Sequence, residues 1–193
     1  MTTFIEDKFP REKCVKCGWV HYHNPRPTVS AIISRDGGTQ YSSTNSVTSR
    51  QSSDEHRSDR REKIILCQRA AGPFAGKWDL PGGFVEEQES AEEAIRREMA
   101  EELGINLSSI RLLGVEGPAY YPFGGQENYN LDIYFLVTTN DEPRAVSASD
   151  VSKISWFDPD KLPDMAFETN VKAIKKWQTD QKKNSSALSA AWA

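Results

Sequence analysis

Residues 76–105 read GKWDLPGGFVEEQESAEEAIRREMAEELGI, and this stretch constrains the chain more than any other. Ser90 followed at the third position by Glu93 is a capping box, in which the hydroxyl accepts from the Glu93 amide and the carboxylate accepts from the Ser90 amide, so a helix must start there. Ala91, Ala94, Ile95, Met99 and Leu103 recur at three- and four-residue steps and give that helix a buried stripe. Gly104 ends it, because a glycine after the last apolar residue takes the left-handed cap at no steric cost. Strands flank this helix in the sequence.

Those strands are legible. TVSAIIS (28–34) and KIILCQR (63–69) are short, β-branched and buried in character, and 111–121, 129–139 and 151–157 read as three more. FETNVKAIKKWQTD (167–180) reads as a closing helix with Val171, Ile174 and Trp177 on one face. Mixed strands with a central and a terminal helix predict an α/β domain around a mixed sheet. The expected organisation is a polar segment at 1–26, the main domain at 27–165 with a disordered Ser-rich insertion at 36–62, a packing helix at 166–180, and a flexible tail at 181–193.

Composition narrows the function. The 193-residue chain has a formal charge of -4, which argues against a general nucleic-acid binder. It has neither an apolar run long enough to span a membrane nor a signal-like start, so a cytoplasmic protein is expected. Three cysteines fit a reducing compartment.

The helix carries two kinds of charge. Glu92 with Arg96 and Glu93 with Arg97 are ordinary i,i+4 pairs worth about 0.2–0.5 kcal/mol each. Glu98, Glu101 and Glu102 instead crowd one face near the negative end of the helix, where like charges and the macrodipole both oppose them. Arg97 offsets part of this, and a hard divalent cation offsets the rest, since Mg2+ favours carboxylate oxygens together with water and phosphate.

Gly83, Glu89, Arg97, Glu98, Met99, Glu101, Glu102, Gly104 and Ile105 fit G-x5-E-x7-R-E-U-x-E-E-x-G-U, with U a bulky apolar residue, at every defined position. This resembles the Nudix box, and the likeness covers roughly residues 26–165. It implies the Nudix fold, an α/β/α sandwich around a mixed β-sheet, and hydrolysis of a nucleoside diphosphate linked to another group. It also implies Mg2+ or Mn2+ on Glu98, Glu101, Glu102 and the Gly82 carbonyl, with Arg97 orienting the carboxylates. Gly83, Glu89 and Gly104 are then structural, Glu89 supporting the loop and helix or a second metal. Glu98, Arg97 and Glu101 are the expected catalytic residues, Glu98 as base, with Glu127, Asp132 and Asp150 as alternatives because family members also recruit an acid from a distant loop.

Substrate is less sharply written. CVKCGWVHYHNPRPTV resembles the entry to the domain in the NADH diphosphatase branch, which has two C-x2-C knuckles where this chain has one. Cys14, Cys17, His21 and His23 are crowded for a four-ligand zinc site, so zinc at Cys14 and Cys17 is disfavoured and a degenerate ribbon expected. Cys67, inside a strand, reads as a small buried hydrophobe. PAYYPFGGQ (118–126) keeps only part of that branch's specificity stretch, and Pro122 falls near a proline of the ADP-ribose hydrolases. Arg69, Tyr120, Tyr121 and Phe123 are the expected substrate contacts, the aromatics by stacking on a base. The expected substrate is ADP-ribose, NADH or a related nucleotide. Hydrolysis of noncanonical nucleoside triphosphates, a non-catalytic nucleotide sensor and a zinc module for nucleic acid are the alternatives. Family members commonly form homodimers.

Overall fold

The computed structural model describes residues 1–6, 8–35, 62–123, 126–147 and 149–190, with the side chains of 121–127 and 184–190 outside the description. The expected insertion at 36–62 therefore lies outside the described residues except for Glu62, which accepts a hydrogen bond from the Ser34 hydroxyl.

Ten strands and two helices follow in chain order among the described residues: β1 (Thr2–Glu6), β2 (Phe9–Lys13), β3 (Val20–His21), β4 (Arg26–Arg35), β5 (Lys63–Arg69), β6 (Trp78–Asp79), β7 (Gly82–Phe84), α1 (Ala91–Leu103), β8 (Ser109–Phe123), β9 (Gln126–Thr138), β10 (Val151–Phe157) and α2 (Glu168–Ala190). The main sheet runs β10-β5-β4-β9-β8, with β6 added to β5 and β7 to β4. The β4–β9 pair is parallel and its neighbours are antiparallel, so the sheet is mixed as expected.

Alternation along the central strands divides the core into two. Val29, Ala31, Ile33, Ile65, Phe135 and Val137 pack with Ala94, Ile95, Met99 and Leu103 of α1. Ile32, Ile64, Leu66 and Tyr134 point the other way and pack with Ala173, Ile174 and Trp177 of α2. Because successive strand residues face opposite sides, β4 and β5 bury both faces and form the middle layer of a helix-sheet-helix sandwich.

The capping box at Ser90 is formed in both directions, and Gly104 closes α1 at φ 65° with its amide on the Ala100 carbonyl. Replacing Ser90 by Ala is expected to cost about 1 kcal/mol, lowering the melting temperature by about 2–4 °C in a thermal scan.

Three features differ from expectation. The terminal helix does not stop at Asp180 but runs to Ala190, since Lys, Asn, Ser, Ala and Leu without Gly or Pro leave nothing to break it. The tail expected over 181–193 is thus helical as far as it is described. The short strands β6 and β7, two and three residues long, show no periodicity in sequence and form because they lean on β5 and β4. The polar segment at 1–26 holds a three-stranded antiparallel sheet, β1-β2-β3. No helix among the described residues is long and apolar enough to cross a membrane.

Candidate active site

β7 and α1 set the carboxylates. Gly82 lies at φ 148°, and a Cβ there would stand 2.0 Å from the Val29 carbonyl oxygen, so only glycine lets β7 close against β4. At Gly83 a Cβ would stand 2.3 Å from Glu98 Oε1, so the missing side chain is the space that the Glu98 carboxylate occupies. The Gly82 amide donates to Glu102 Oε2 at 2.9 Å. The glycine pair thus seats two glutamates of the helix against one strand.

Arg97 organises the others. Its guanidinium donates to both oxygens of Glu89 at 2.7 and 3.2 Å, to Glu98 at 2.7 Å, to Glu101 at 3.2 Å and to the Phe84 carbonyl at 3.0 Å. The hydrogen bonds to Glu89 lead in holding this guanidinium above its ordinary basicity, and the same contact holds the Glu89 carboxyl below the ordinary range. Glu89 also accepts from the Glu86 amide at 2.8 Å, tying the loop to the helix. One arginine therefore locks loop, strand and two helix carboxylates in register.

Burial works against ionisation at the other two positions. It raises Glu98 despite Arg97, and it pushes Glu102 up to about 8, where the Gly82 amide relieves it and the charges of Glu98 and Asp79 add to it. These all-oxygen donors, with Glu98 and Glu102 largely buried and one arginine against three carboxylates, suit a hard divalent cation. They are not drawn into one tight knot: among the described residues, the group with three ligand atoms within 4.8 Å of one another is Glu12, His21 and His23 on the N-terminal sheet.

A cleft opens beside Gly82, Gly83 and Glu102 and continues past Arg69, Asp79, Asn130, Asp132, Asp150 and Asn170. Its inner wall is a polar network absent from the sequence reading apart from Arg69, Asp132 and Asp150. Arg69 donates to Asp79 at 3.0 Å, Asn170 donates to Asp79, Tyr134 donates to Asn170 at 2.6 Å, and Thr28 donates to Asp132 at 2.5 Å. Asn130 is 5% exposed, and its Oδ1 has no protein partner. The signals in sequence are faint: polar residues interrupting buried strands, and Asn170 beside the apolar stripe of a helix.

Asp79 is raised to about 6, chiefly by burial, with Arg69 and Asn170 opposing. An acid raised in the fold has its favourable contribution below its unfolded pKa and loses it as pH rises through the folded value. Unfolding free energy should therefore fall between about pH 4 and 6, and Asp79→Asn should flatten that part of the denaturation profile.

The expected site residues divide. Arg97, Glu98, Glu101, Glu102, Gly82, Gly83 and Glu89 come together, and Arg69 lines the cleft. Tyr120 does not: it is half exposed, packs edge-on against Tyr129 across the β8–β9 pair, and is not among the residues lining the cleft. Directly paired residues share a sheet face, so Tyr120 goes with Tyr129, opposite to Asn130. The side chains of Tyr121, Phe123 and Glu127 lie outside the described residues. Asp132 is 7% exposed and engaged with Thr28 and Tyr134, whereas Asp150 is exposed at the rim. Burial leaves the Cys67 thiol well above its ordinary pKa, in keeping with a core role.

The family model described as NUDIX domain matches residues 56–178. The chain belongs to the Nudix family of pyrophosphohydrolases. An ADP-ribose pyrophosphatase of Methanocaldococcus jannaschii is 36% identical over 124 residues, 62% of this chain and 70% of the relative. An oxidized purine nucleoside triphosphate hydrolase of Danio rerio is 32% identical over 101 residues, 52% of this chain and 62% of the relative. Among solved structures, a MutT NUDIX hydrolase from Burkholderia pseudomallei superposes with a TM-score of 0.59 at 28% identity, covering 79% of this chain and 98% of that one. The Nudix fold expected from the box is the fold observed.

Proposed function

We propose that this Nudix domain hydrolyses the diphosphate linkage of a nucleoside diphosphate derivative, with ADP-ribose the leading candidate and NADH a related one. One observation carries the reading: the same cleft joins Gly82, Gly83 and the buried Glu102, at the edge of the carboxylate cluster, to a polar wall at Asn130 and Asn170. The first end suits a cation and phosphates, and the second offers hydrogen bonds to a nucleoside. The name of the 36% identical relative supports the same choice.

In this reading Glu98, Glu101, Glu102 and the Gly82 carbonyl hold Mg2+ or Mn2+, which supplies charge neutralisation to the diphosphate and acidity to water. Glu98 is the base that takes a proton from the attacking water as its oxygen bonds to phosphorus and the bridging P–O bond breaks. Arg97 keeps Glu98 and Glu101 aimed, and its charge limits the repulsion between them. Arg69, beside Asp79 at the mouth of the polar wall, meets the substrate. A cytoplasmic location and a small-molecule partner rather than nucleic acid go with this reading.

A second reading, hydrolysis of noncanonical purine nucleoside triphosphates, is supported by the name of the Danio rerio relative, an oxidized purine nucleoside triphosphate hydrolase. Asn130 lines the cleft and suits the purine of either substrate. A panel of ADP-ribose, NADH, diadenosine polyphosphates and canonical or oxidised nucleoside triphosphates, assayed with Mg2+ or Mn2+, separates the two. Turnover of ADP-ribose well above the triphosphates supports the first, and the reverse order supports the second. Binding without cleavage across the panel would overturn both in favour of a nucleotide sensor.

A further inference from the structure

We propose that Glu12, His21 and His23, on the separate N-terminal sheet and its edge, form a second metal site that takes a borderline divalent cation of the Zn2+, Ni2+ or Cu2+ class and staples that sheet.

Strand geometry assembles the ligands. Glu12 on β2 is paired directly with His21 on β3, and directly paired residues share a face. His23 lies just past the end of β3, and its ring comes back beside that of His21. His21 Nδ1 lies 3.6 Å from Glu12 Oε2, the two imidazole rings are 4.5 Å apart between centroids, and the three ligand atoms lie within 4.8 Å of one another. Ligands held at about 2.0–2.2 Å on a tetrahedral zinc stand about 3.4 Å apart, so small side-chain rotations close the set. The charge that could compete for Glu12 is diverted, because the neighbouring Arg11 guanidinium lies over the Tyr22 and Phe9 rings at 4.7 and 5.5 Å.

A second observation points to a ligand here. None of the residues of β1, β2 and β3 is buried, and Ile5, Phe9, Val15, Trp19 and Tyr22 are all substantially exposed. A module this small with no core of its own is the kind that a bound metal stabilises. Donor chemistry then separates the two centres: two imidazoles and one carboxylate select Zn2+ or its neighbours, while the all-oxygen set on α1 selects Mg2+ or Mn2+.

The cysteines offer a rival on the same hairpin. Cys14 and Cys17 sit in the turn between β2 and β3, where the Gly18 amide donates to the Cys14 carbonyl at 2.9 Å and Trp19 stacks on His21. The proposal places the metal on Glu12, His21 and His23 without them. The test uses the full chain, stripped by chelator and titrated with Zn2+ and with Co2+ in excess Mg2+, which keeps the α1 carboxylates occupied. Retention of about one Zn2+ per chain is expected for wild type and for the Cys14→Ser/Cys17→Ser double variant, with visible d–d bands but no thiolate charge-transfer band for Co2+. His21→Ala, His23→Ala and the near-isosteric Glu12→Gln should each weaken Zn2+ binding by about tenfold or more. Loss of binding in the cysteine variant, a thiolate band with Co2+, or wild-type affinity in the histidine variants overturns the proposal. Glu12→Gln preserves strand shape, so its loss of affinity reports a lost ligand and not a disrupted hairpin.

Discussion

Glu98→Gln should lower kcat on the best substrate of the panel by about 10²–10⁴ while leaving the melting temperature within a few degrees of wild type. The variant keeps the shape of the side chain that fills the space over Gly83, and it keeps an oxygen for Arg97 to contact. What it removes is the proton acceptor and one negative charge, so the chemical step suffers and the fold does not. A rise in the Mg2+ or Mn2+ concentration needed for half activity should accompany the loss, because the same carboxylate is an expected ligand. Parallel variants locate the base. Asp132→Asn leaves the phosphate end of the cleft untouched, since Asp132 is buried and bonded to Thr28 and Tyr134, and Asp150→Asn changes a rim residue. Both should stay within about tenfold of wild type if Glu98 takes the proton. A loss with Asp150→Asn as deep as that with Glu98→Gln would move the base to the rim and leave Glu98 as a ligand alone.

The helix at the centre of this prediction is the part most plainly written in the sequence, because its signals are local. The capping pair, the apolar stripe and the glycine stop each act within a few residues, so reading them needs no tertiary information. The strands of β4 and β5 were legible for a similar reason: buried on both faces, they appear as continuous apolar runs. The polar wall of the cleft was not legible. Asp79, Asn130 and Asn170 come from three elements separated by tens of residues, and each looks like an ordinary turn, strand or helix polar residue until the sheet brings them together. The placement of Tyr120 away from the cleft was not legible for a related reason. A run of aromatics before a turn says nothing about which face each ring takes, and irregular register in β8 between Glu116 and Ala119 makes simple alternation from the preceding strand unreliable. On the N-terminal hairpin, the crowding of Cys14, Cys17, His21 and His23 in sequence pointed to a degenerate ribbon and said nothing of Glu12, which the pairing of β2 with β3 sets directly opposite His21.

The adjacent glycines should fail in opposite ways when each is replaced by Ala. At Gly82 the new methyl would lie 2.0 Å from the Val29 carbonyl oxygen and 2.9 Å from the Ser30 Cα, both backbone atoms of the central strand β4, and the φ of 148° is itself unfavourable for a residue with a side chain. Relief requires separating β7 from β4, which breaks their pairing and moves the amide that holds Glu102. A loss of about 4 kcal/mol or more is expected, seen as a sharply lower denaturation midpoint or insoluble protein. At Gly83 the obstruction is the carboxylate end of Glu98, which can swing aside. The melting temperature of Gly83→Ala should therefore change little, but the displaced Glu98 leaves its place beside Arg97, and a shift of about 1 Å in a catalytic group costs about 10²-fold. Stability and turnover measured side by side test the assignment. If Gly83→Ala keeps wild-type turnover, the position of the Glu98 carboxylate does not matter to the reaction, and its role as base falls with it. If both variants lose stability equally, the space above Gly83 serves packing alone.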